Sequence, residues 1–413
     1  MKKQRVIVIG GGPAGLMAAG QAAEAGAETL LLEKMKKTGL KLCITGKGRC
    51  NITNIAEISD FISHFGKTGP FLRQAFTRFS NTDLIEFLNG LGLELVTERG
   101  GRVFPASSKA GDVQEVLLQW IKRAKVRIKH SSPVDKILLH DKQITGVVSQ
   151  GREIPCDAII LATGGASYPA TGSTGDGYRL CKSAGHTVIP VRQALVPLET
   201  AGDESKKMAG LNLRNVNVRM LINNRKKREE FGEVVFTDFG MTGPAILTLS
   251  GDAVDSLRSG HKVTFSIDLK PALDEKKLDR RLQRDIASRG KEQISSLLRG
   301  LLPREMVPVC LDLTSIPGDH PVCNISSKKR RRIRTWLKDF RLEVTGYRPF
   351  KEAIITAGGI DTREIDPRTM ESRKIKGLFI AGELLDIQAD TGGYNLQAAF
   401  STGWLAGRSA AQL

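Results

Sequence analysis

RVIVIGGGPAGLMAAGQAAEAGAETLLLE, residues 5–33, decides how this chain is built. After Arg5, Val6-Ile7-Val8-Ile9 is an unbroken apolar, β-branched run, the composition of a strand buried on both faces. Gly10-Gly11-Gly12-Pro13-Ala14-Gly15 follows at once and matches GxGxxG. The alanine-rich stretch from Leu16 to Ala25 reads as a helix closed by Gly26. Glu28-Thr29-Leu30-Leu31-Leu32 reads as a second strand, ending on Glu33. Each glycine of the motif meets a different demand. Gly10 permits a tight turn, Gly12 lets a pyrophosphate approach the backbone, and Gly15 lets the helix meet the strand. Glu33 stands where a carboxylate accepts the ribose hydroxyls of an adenosine. A lone GxGxxG is a weak signal. Strand, helix, second strand and acid in this order predict a bound dinucleotide on an α/β fold.

The rest of the chain sets bounds. At 413 residues it is too long for one ordinary core and predicts two or three domains. Its 43 glycines and 5% aromatic content fit an α/β protein and exclude a fibrous or disordered one. No run approaches the roughly 20 apolar residues of a membrane span. The basic start is followed by only a short apolar patch with no small-residue cleavage site, so a secretory leader is not expected. Six scattered cysteines without a CxxC pair predict neither zinc nor a disulfide framework, and no metal site; they suit a reducing cytoplasm. The formal charge of +18 is large enough to draw polyanions. Residues 191–350 carry 30 basic and 20 acidic side chains, with dense runs at Arg225–Arg228 and Lys328–Arg334.

Two later segments select the dinucleotide. Asp157 to Gly165 is a strand ending in Thr163-Gly164-Gly165, and Gly377 to Glu383 is a strand ending in Gly382-Glu383. After the second come Asp386, then Thr391-Gly392-Gly393-Tyr394-Asn395-Leu396 and an amphipathic helix. This arrangement resembles the two-dinucleotide-binding-domain flavoproteins. The resemblance implies that the first motif holds the ADP half of FAD and the Gly-acid motif the ribityl chain. The helix after Gly393 would aim its N-terminus at the flavin pyrimidine edge. Cofactor contacts are accordingly expected from Gly10, Gly12, Pro13, Ala14, Gly15, Glu33 and Lys34. Val134, Thr163, Gly164, Gly382, Glu383 and Asp386 extend the set, as do Gly393, Asn395 and Leu396. ITGKGRCNITN, residues 44–54, lies in the crossover after Glu33. Its glycines and cations suit phosphate, but Gly48 follows Lys47 where a P-loop needs Ser or Thr, so this is no nucleotide-hydrolysis loop. Lys41, Gly48, Arg49 and Asn51 are therefore expected beside the FAD phosphates, ribityl chain or flavin.

GKGRCNITN (46–54), ATGGASYPATGSTGDGY (162–178), EVVFTDFGMTGPAIL (233–247) and AGELLDIQADTGGYNLQAAFSTG (381–403) together resemble one bacterial family, the BaiN/RdsA-type NAD(P)/FAD-dependent oxidoreductases. The likeness covers essentially the whole chain. Many members carry Ser-Gly-Gly-Gly where this chain has Thr45-Gly46-Lys47-Gly48, His at the position of Asp238 and Ser at that of Thr242. The resemblance implies a Rossmann-like, glutathione-reductase-like FAD domain formed by residues 1–191 and 350–413. It also implies an inserted β-barrel-like domain (192–270 and 326–349) and a helical subdomain (271–325). It implies flavin-dependent reduction of a C=C bond, either of uridine in 23S ribosomal RNA or of an enone in a steroid-like molecule. The basic insert favours ribosomal RNA as partner; a flavin-bearing RNA-binding factor without turnover is the remaining alternative. Cys50, Arg49 and Tyr168 are the candidate catalytic groups. With one fingerprint visible, NAD(P)H is expected as a transient reductant. FAD is expected to be non-covalent, because covalent attachment in fumarate-reductase-like proteins needs a histidine near residues 43–48 and none is there. The oligomeric state is not legible.

Overall fold

The computed structural model describes residues 3–413, so the first two residues of the basic N-terminal start lie outside it. The chain divides into two units, Met1–Gln193 with Phe350–Leu413, and Ala194–Pro349.

The first unit is built on a five-stranded parallel sheet. Its strands run in the order Leu378–Ile380, Ala158–Leu161, Arg5–Ile9, Glu28–Leu32 and Arg127–Lys129. Register places Ile7 beside both Ile159 and Leu30. The central strands are sealed on both faces, which explains their unalternating sequence. Helix Pro13–Glu24 packs on the sheet through side chains no larger than they need to be. A Cβ on Gly20 would stand 2.1 Å from the Trp120 ring, so helix Ala110–Arg123 comes in close. On another side lies Tyr394–Ala410, whose Gly403 and Gly407 would place Cβ atoms 2.3 and 2.4 Å from the carbonyl oxygens of Ala14 and Ala18. Two helices approach this closely only where side chains are missing. Two three-stranded antiparallel sheets also belong to the unit: Thr53–Asn54, Arg102–Pro105 and Leu95–Glu98, and Val134–His140, Gln143–Ser149 and Arg152–Pro155. The segment around Glu364 is pinned by ions. His186 Nδ1 lies 2.9 Å from Glu364 Oε2, and Lys374 Nζ lies 2.6 Å from Oε1.

The second unit contains a closed barrel with strands in the order Leu198–Thr200, Gly240–Thr242, Arg225–Phe236, Asn212–Ile222, Val263–Asp268 and Phe340–Tyr347. Closure removes sheet edges, and Val218, Met220, Phe236, Phe265 and Phe340 are buried. Helices Glu275–Ser288, Ile294–Arg299, Met306–Thr314 and Ser327–Lys338 belong to the same unit. The last of these differs from the expectation that residues 326–349 return to the barrel: only Phe340–Tyr347 is strand there. Ser326 caps the helix by accepting the Lys329 N–H at 3.2 Å, and Ile333, Trp336 and Leu337 bury at helical spacing. The run of cations obscured that pattern.

Candidate active site

Three adjacent parallel strands end side by side at Gly10, Thr163 and Gly382, the edge of an open α/β sheet where ligands bind. The fingerprint glycines divide by role. Gly10 adopts φ +100°, and a Cβ there would stand 2.6 Å from the Ala162 oxygen. On Gly15 it would stand 1.8 Å from the Gly10 oxygen. Both are fixed by backbone against backbone. Gly12 is different: nothing lies within 4 Å of its imagined Cβ. It is the N-cap of Pro13–Glu24, has no side-chain cap and precedes a first turn without an acid. That turn's unpaired N–H groups and helix dipole form an anion cradle. Glu33 is buried next to it. Its carboxylate accepts the Gly11 and Met35 N–H groups, each at 2.7 Å. Ser132 donates its N–H to the Glu33 carbonyl at 2.9 Å, two residues before the buried Val134 opens its strand. Lys34 reaches Asp176 at 2.5 Å and also binds the Thr174 hydroxyl.

Around the other two strand ends the polar groups converge. Lys41 Nζ donates to Ser167 Oγ and to Glu383 Oε2, both at 2.6 Å. The other Glu383 oxygen accepts the Thr356 N–H at 2.8 Å and the Ser167 hydroxyl at 3.0 Å. Gly382 (φ +73°) turns the chain where a Cβ would stand 2.8 Å from that of Ala14, joining the two motifs. A Cβ on Gly164 would stand 3.0 Å from Ser173 Oγ and 4.0 Å from Glu383 Oε2. Thr163 Oγ1 and Tyr178 Oη are buried without any hydrogen-bond partner. Burial, with Glu383 and Asp386 nearby, pushes the Tyr178 hydroxyl pKa far up. Burial also raises Asp386 despite the Arg192 guanidinium. Orphaned hydroxyls beside an open helix N-terminus fit a bound polyhydroxylated dinucleotide such as FAD.

The 44–54 segment departs from a simple phosphate loop. The helix Leu40–Gly48 breaks at Thr45, and Gly46, Lys47, Gly48 and Cys50 all take positive φ. Its second half lies on the start of the C-terminal helix. With its amide turned so that nitrogen meets acceptor and oxygen meets donor, Asn51 donates to Thr53 O (3.1 Å) and accepts the Gly393 N–H (3.0 Å); Asn54 donates to Gly392 O at 3.1 Å. A Cβ on Gly393 would stand 2.4 Å from Thr53 O, so the residue must be glycine there. Asn395 folds back on Ala389, donating to its oxygen and accepting its N–H at 2.9 Å each, while Leu396 is half-buried. Arg49 is held elsewhere than on a phosphate. It pairs with Glu98 and lies 4.3 Å from the Phe104 ring centroid. Cys50 is wholly buried, with its thiol pushed up to about 12 by desolvation. Tyr168 is half-buried at φ +51°, and burial with Glu352 raises its hydroxyl. Ser167, Thr356, Tyr178 and a His64–Asp390 contact at 3.2 Å beside Tyr394 were not singled out by spacing; nothing local in the sequence marks them. Among the described residues no group of three His, Cys, Asp or Glu is placed to hold a metal, and no helix is long and apolar enough to cross a membrane.

Comparison with known proteins places the whole chain. A family model described as HI0933-like protein Rossmann domain matches residues 4–409. The 3-dehydro-bile acid delta(4,6)-reductase of Clostridium scindens is 33% identical over 410 residues, 99% of each chain. The ribosomal RNA dihydrouridine synthase of Escherichia coli is 30% identical, covering 98% of this chain and 97% of that one. Among solved structures, a flavocytochrome c3 fumarate reductase aligns with a TM-score of 0.53 at 17% identity, over 99% of this chain and 78% of that one. A 3-ketosteroid delta1-dehydrogenase of Sterolibacterium denitrificans aligns at 0.51 and 13%, over 98% and 99%. At such identities these two establish the fold alone. The enzyme class expected from the sequence, an oxidoreductase, matches the names that the relatives bear, a reductase and a dihydrouridine synthase. With a match across almost its whole length, the chain belongs to the HI0933-like Rossmann family.

Proposed function

We propose that this chain reduces the C5=C6 bond of a uracil in 23S ribosomal RNA, giving dihydrouridine, with FAD as carrier and NAD(P)H as reductant. The observation that carries this reading is charge. A formal +18, more than half of it in residues 191–350, is a field that a small apolar substrate does not need and a polyanion does. Two relatives aligned over nearly their full length bear the name ribosomal RNA dihydrouridine synthase, which supports it.

Bound FAD supplies a hydride for C6 of the base, and NAD(P)H is oxidised in replacing it. The chain does the rest. Gly12 and the N-terminus of Pro13–Glu24 hold the pyrophosphate, and Glu33 accepts ribose hydroxyls. Thr163, Glu383 and Asp386 meet the ribityl hydroxyls. Asn51 holds the Gly393 turn, so the Tyr394–Ala410 dipole would favour negative charge on a flavin held before that helix. C5 also needs a proton. Tyr168 is the donor we assign: its hydroxyl stays protonated, and it adjoins Ser167 in the Glu383 network. The Cys50 thiol is sealed in the core, and Arg49 is spent on Glu98. The uracil must be unpaired or flipped to reach the site.

The test is direct. FAD-loaded protein, NADPH and an unmodified 23S transcript should yield dihydrouridine at a discrete site, and Gly12→Asp should yield none. A second reading, reduction of a steroid-like enone, is favoured by the 33% identity to the Clostridium scindens protein. Unmodified RNA alongside turnover of a 3-oxo-4,6-diene bile acid would replace the first reading with the second.

A further inference from the structure

Charge is unevenly spread through the second unit. Residues 271–338 hold 16 Lys and Arg against 8 Asp and Glu, so most of the insert's surplus sits in its helices. Those cations form two populations. Arg330 Nε lies 3.1 Å and Arg334 Nη1 3.3 Å from one oxygen of Asp279, which joins helix Ser327–Lys338 to Glu275–Ser288. Lys338 Nζ lies 2.6 Å from Asp268 and also donates to the Leu273 carbonyl at 2.7 Å. These side chains are internal fastenings. The second population has no ion-pair partner among the described residues. Lys276, Arg280 and Arg284 recur every fourth position as one exposed ridge, opposite the buried Leu278 and Leu282. Lys328 and Arg331 are likewise exposed, opposite Ile333 and Leu337.

The other basic run behaves differently. In Arg225–Arg228, Lys226 lies 2.6 Å from Glu229 and Arg228 lies 3.3 Å from Asp252. Asp252 and Asp255 line the same shallow groove, so its charges nearly cancel. Like charges stacked along a helix repel one another, and a chain of phosphates relieves that repulsion by meeting each cation in turn. A compact anion would engage only one or two.

We infer that the outward faces of Glu275–Ser288 and Ser327–Lys338 form the surface that binds the RNA ribose-phosphate backbone, and that the 225–228 hairpin does not. This rests on the function proposed above. The test uses full-length FAD-loaded protein and an unmodified 23S ribosomal RNA transcript, titrated between 50 and 200 mM KCl. The variant K276Q/R280Q/R284Q/K328Q/R331Q should bind at least tenfold more weakly at about 100 mM salt, with its melting temperature unchanged. Its log–log salt slope should fall by roughly 3.5 to 4.5, since each of the five lost phosphate contacts removes about 0.7–0.9. R225Q/K227Q should stay within about twofold of wild type. Arg280→Glu alone, in mid-ridge, serves if the fivefold variant fails to fold. An undiminished slope in the ridge variants, or an equal loss in the hairpin variant, overturns the inference. Dihydrouridine formation separates the two claims. Wild-type protein that binds RNA through the ridge yet forms no dihydrouridine defeats the proposed reaction and leaves the surface standing. Product formation at dilute RNA that is undiminished in the ridge variants defeats the surface alone.

Discussion

The nucleotide unit and the helical part of the insert solve opposite problems. At the ends of the three central strands the chain makes room: Gly10, Gly15, Gly382 and Gly393 stand where any side chain would strike backbone or the first helix, and Gly12 keeps an empty cradle. In Glu275–Ser288 and Ser327–Lys338 the chain adds atoms, using long arginines to fasten two helices and leaving a ridge of cations over. One region works by absence and is intolerant of a single methyl. The other works by surplus and should degrade gradually.

The largest effect should separate two fingerprint glycines. Gly15→Ala pushes a methyl into the Gly10 carbonyl and should cost about 3 kcal/mol or more, with loss of bound flavin after gel filtration. Gly12→Ala meets open space, so melting of the flavin-free protein should not move while FAD affinity drops at least about tenfold. A stable, flavin-binding Gly15→Ala would break the comparison. Next comes the proton. Tyr168→Phe should slow product formation by about 10²–10⁴ while NADPH still bleaches the flavin at the wild-type rate. Cys50→Ala should instead cost about 1 kcal/mol of stability and keep turnover; the reverse pattern would restore Cys50 as the acid.

Asp279→Ala sharpens the other side. It strands Arg330, leaves Arg334 only Glu275 at 3.6 Å, and should destabilise the insert by about 1–3 kcal/mol in urea melts, without weakening RNA binding. A further modest effect lies at acid pH in the nucleotide unit. Burial works to raise Glu364, but Lys374, Thr187 and His186 outweigh it and hold the carboxyl down to about 2. The folded value lies below the unfolded one near 4.3, so this stabilisation is complete above that pH and disappears as pH falls toward 2. Glu364→Gln should lose about 1–2 kcal/mol at neutral pH and show a flatter stability profile between about pH 4.5 and 2.

What was legible in the sequence follows the distance over which a constraint acts. Gly10 to Glu33 could be read because every requirement is local backbone geometry within one strand–helix–strand unit. The Thr163-Gly164 and Gly382-Glu383 strand ends could be read for the same reason. Their side-chain partners could not. Lys41 finds Glu383 342 positions away, and Arg49 finds Glu98 at 49. Arg330 finds Asp279 at 51, which turned part of an apparent polyanion-binding cluster into internal fastening. Cys50 stands among glycines and cations as a candidate acid, yet a small cysteine also suits a core, and the packed fold seals it there.

The close seating of Gly403 and Gly407 on Ala14 and Ala18 also sets a timetable. On a translating ribosome the first helix emerges early and waits, its small apolar face uncovered, for a partner made nearly four hundred residues later. The barrel and its helices, encoded by one continuous stretch, can complete themselves in the interval. The fingerprint at the head of the chain is therefore the last part of the molecule to become a binding site, and flavin capture reports that synthesis has reached the final helix.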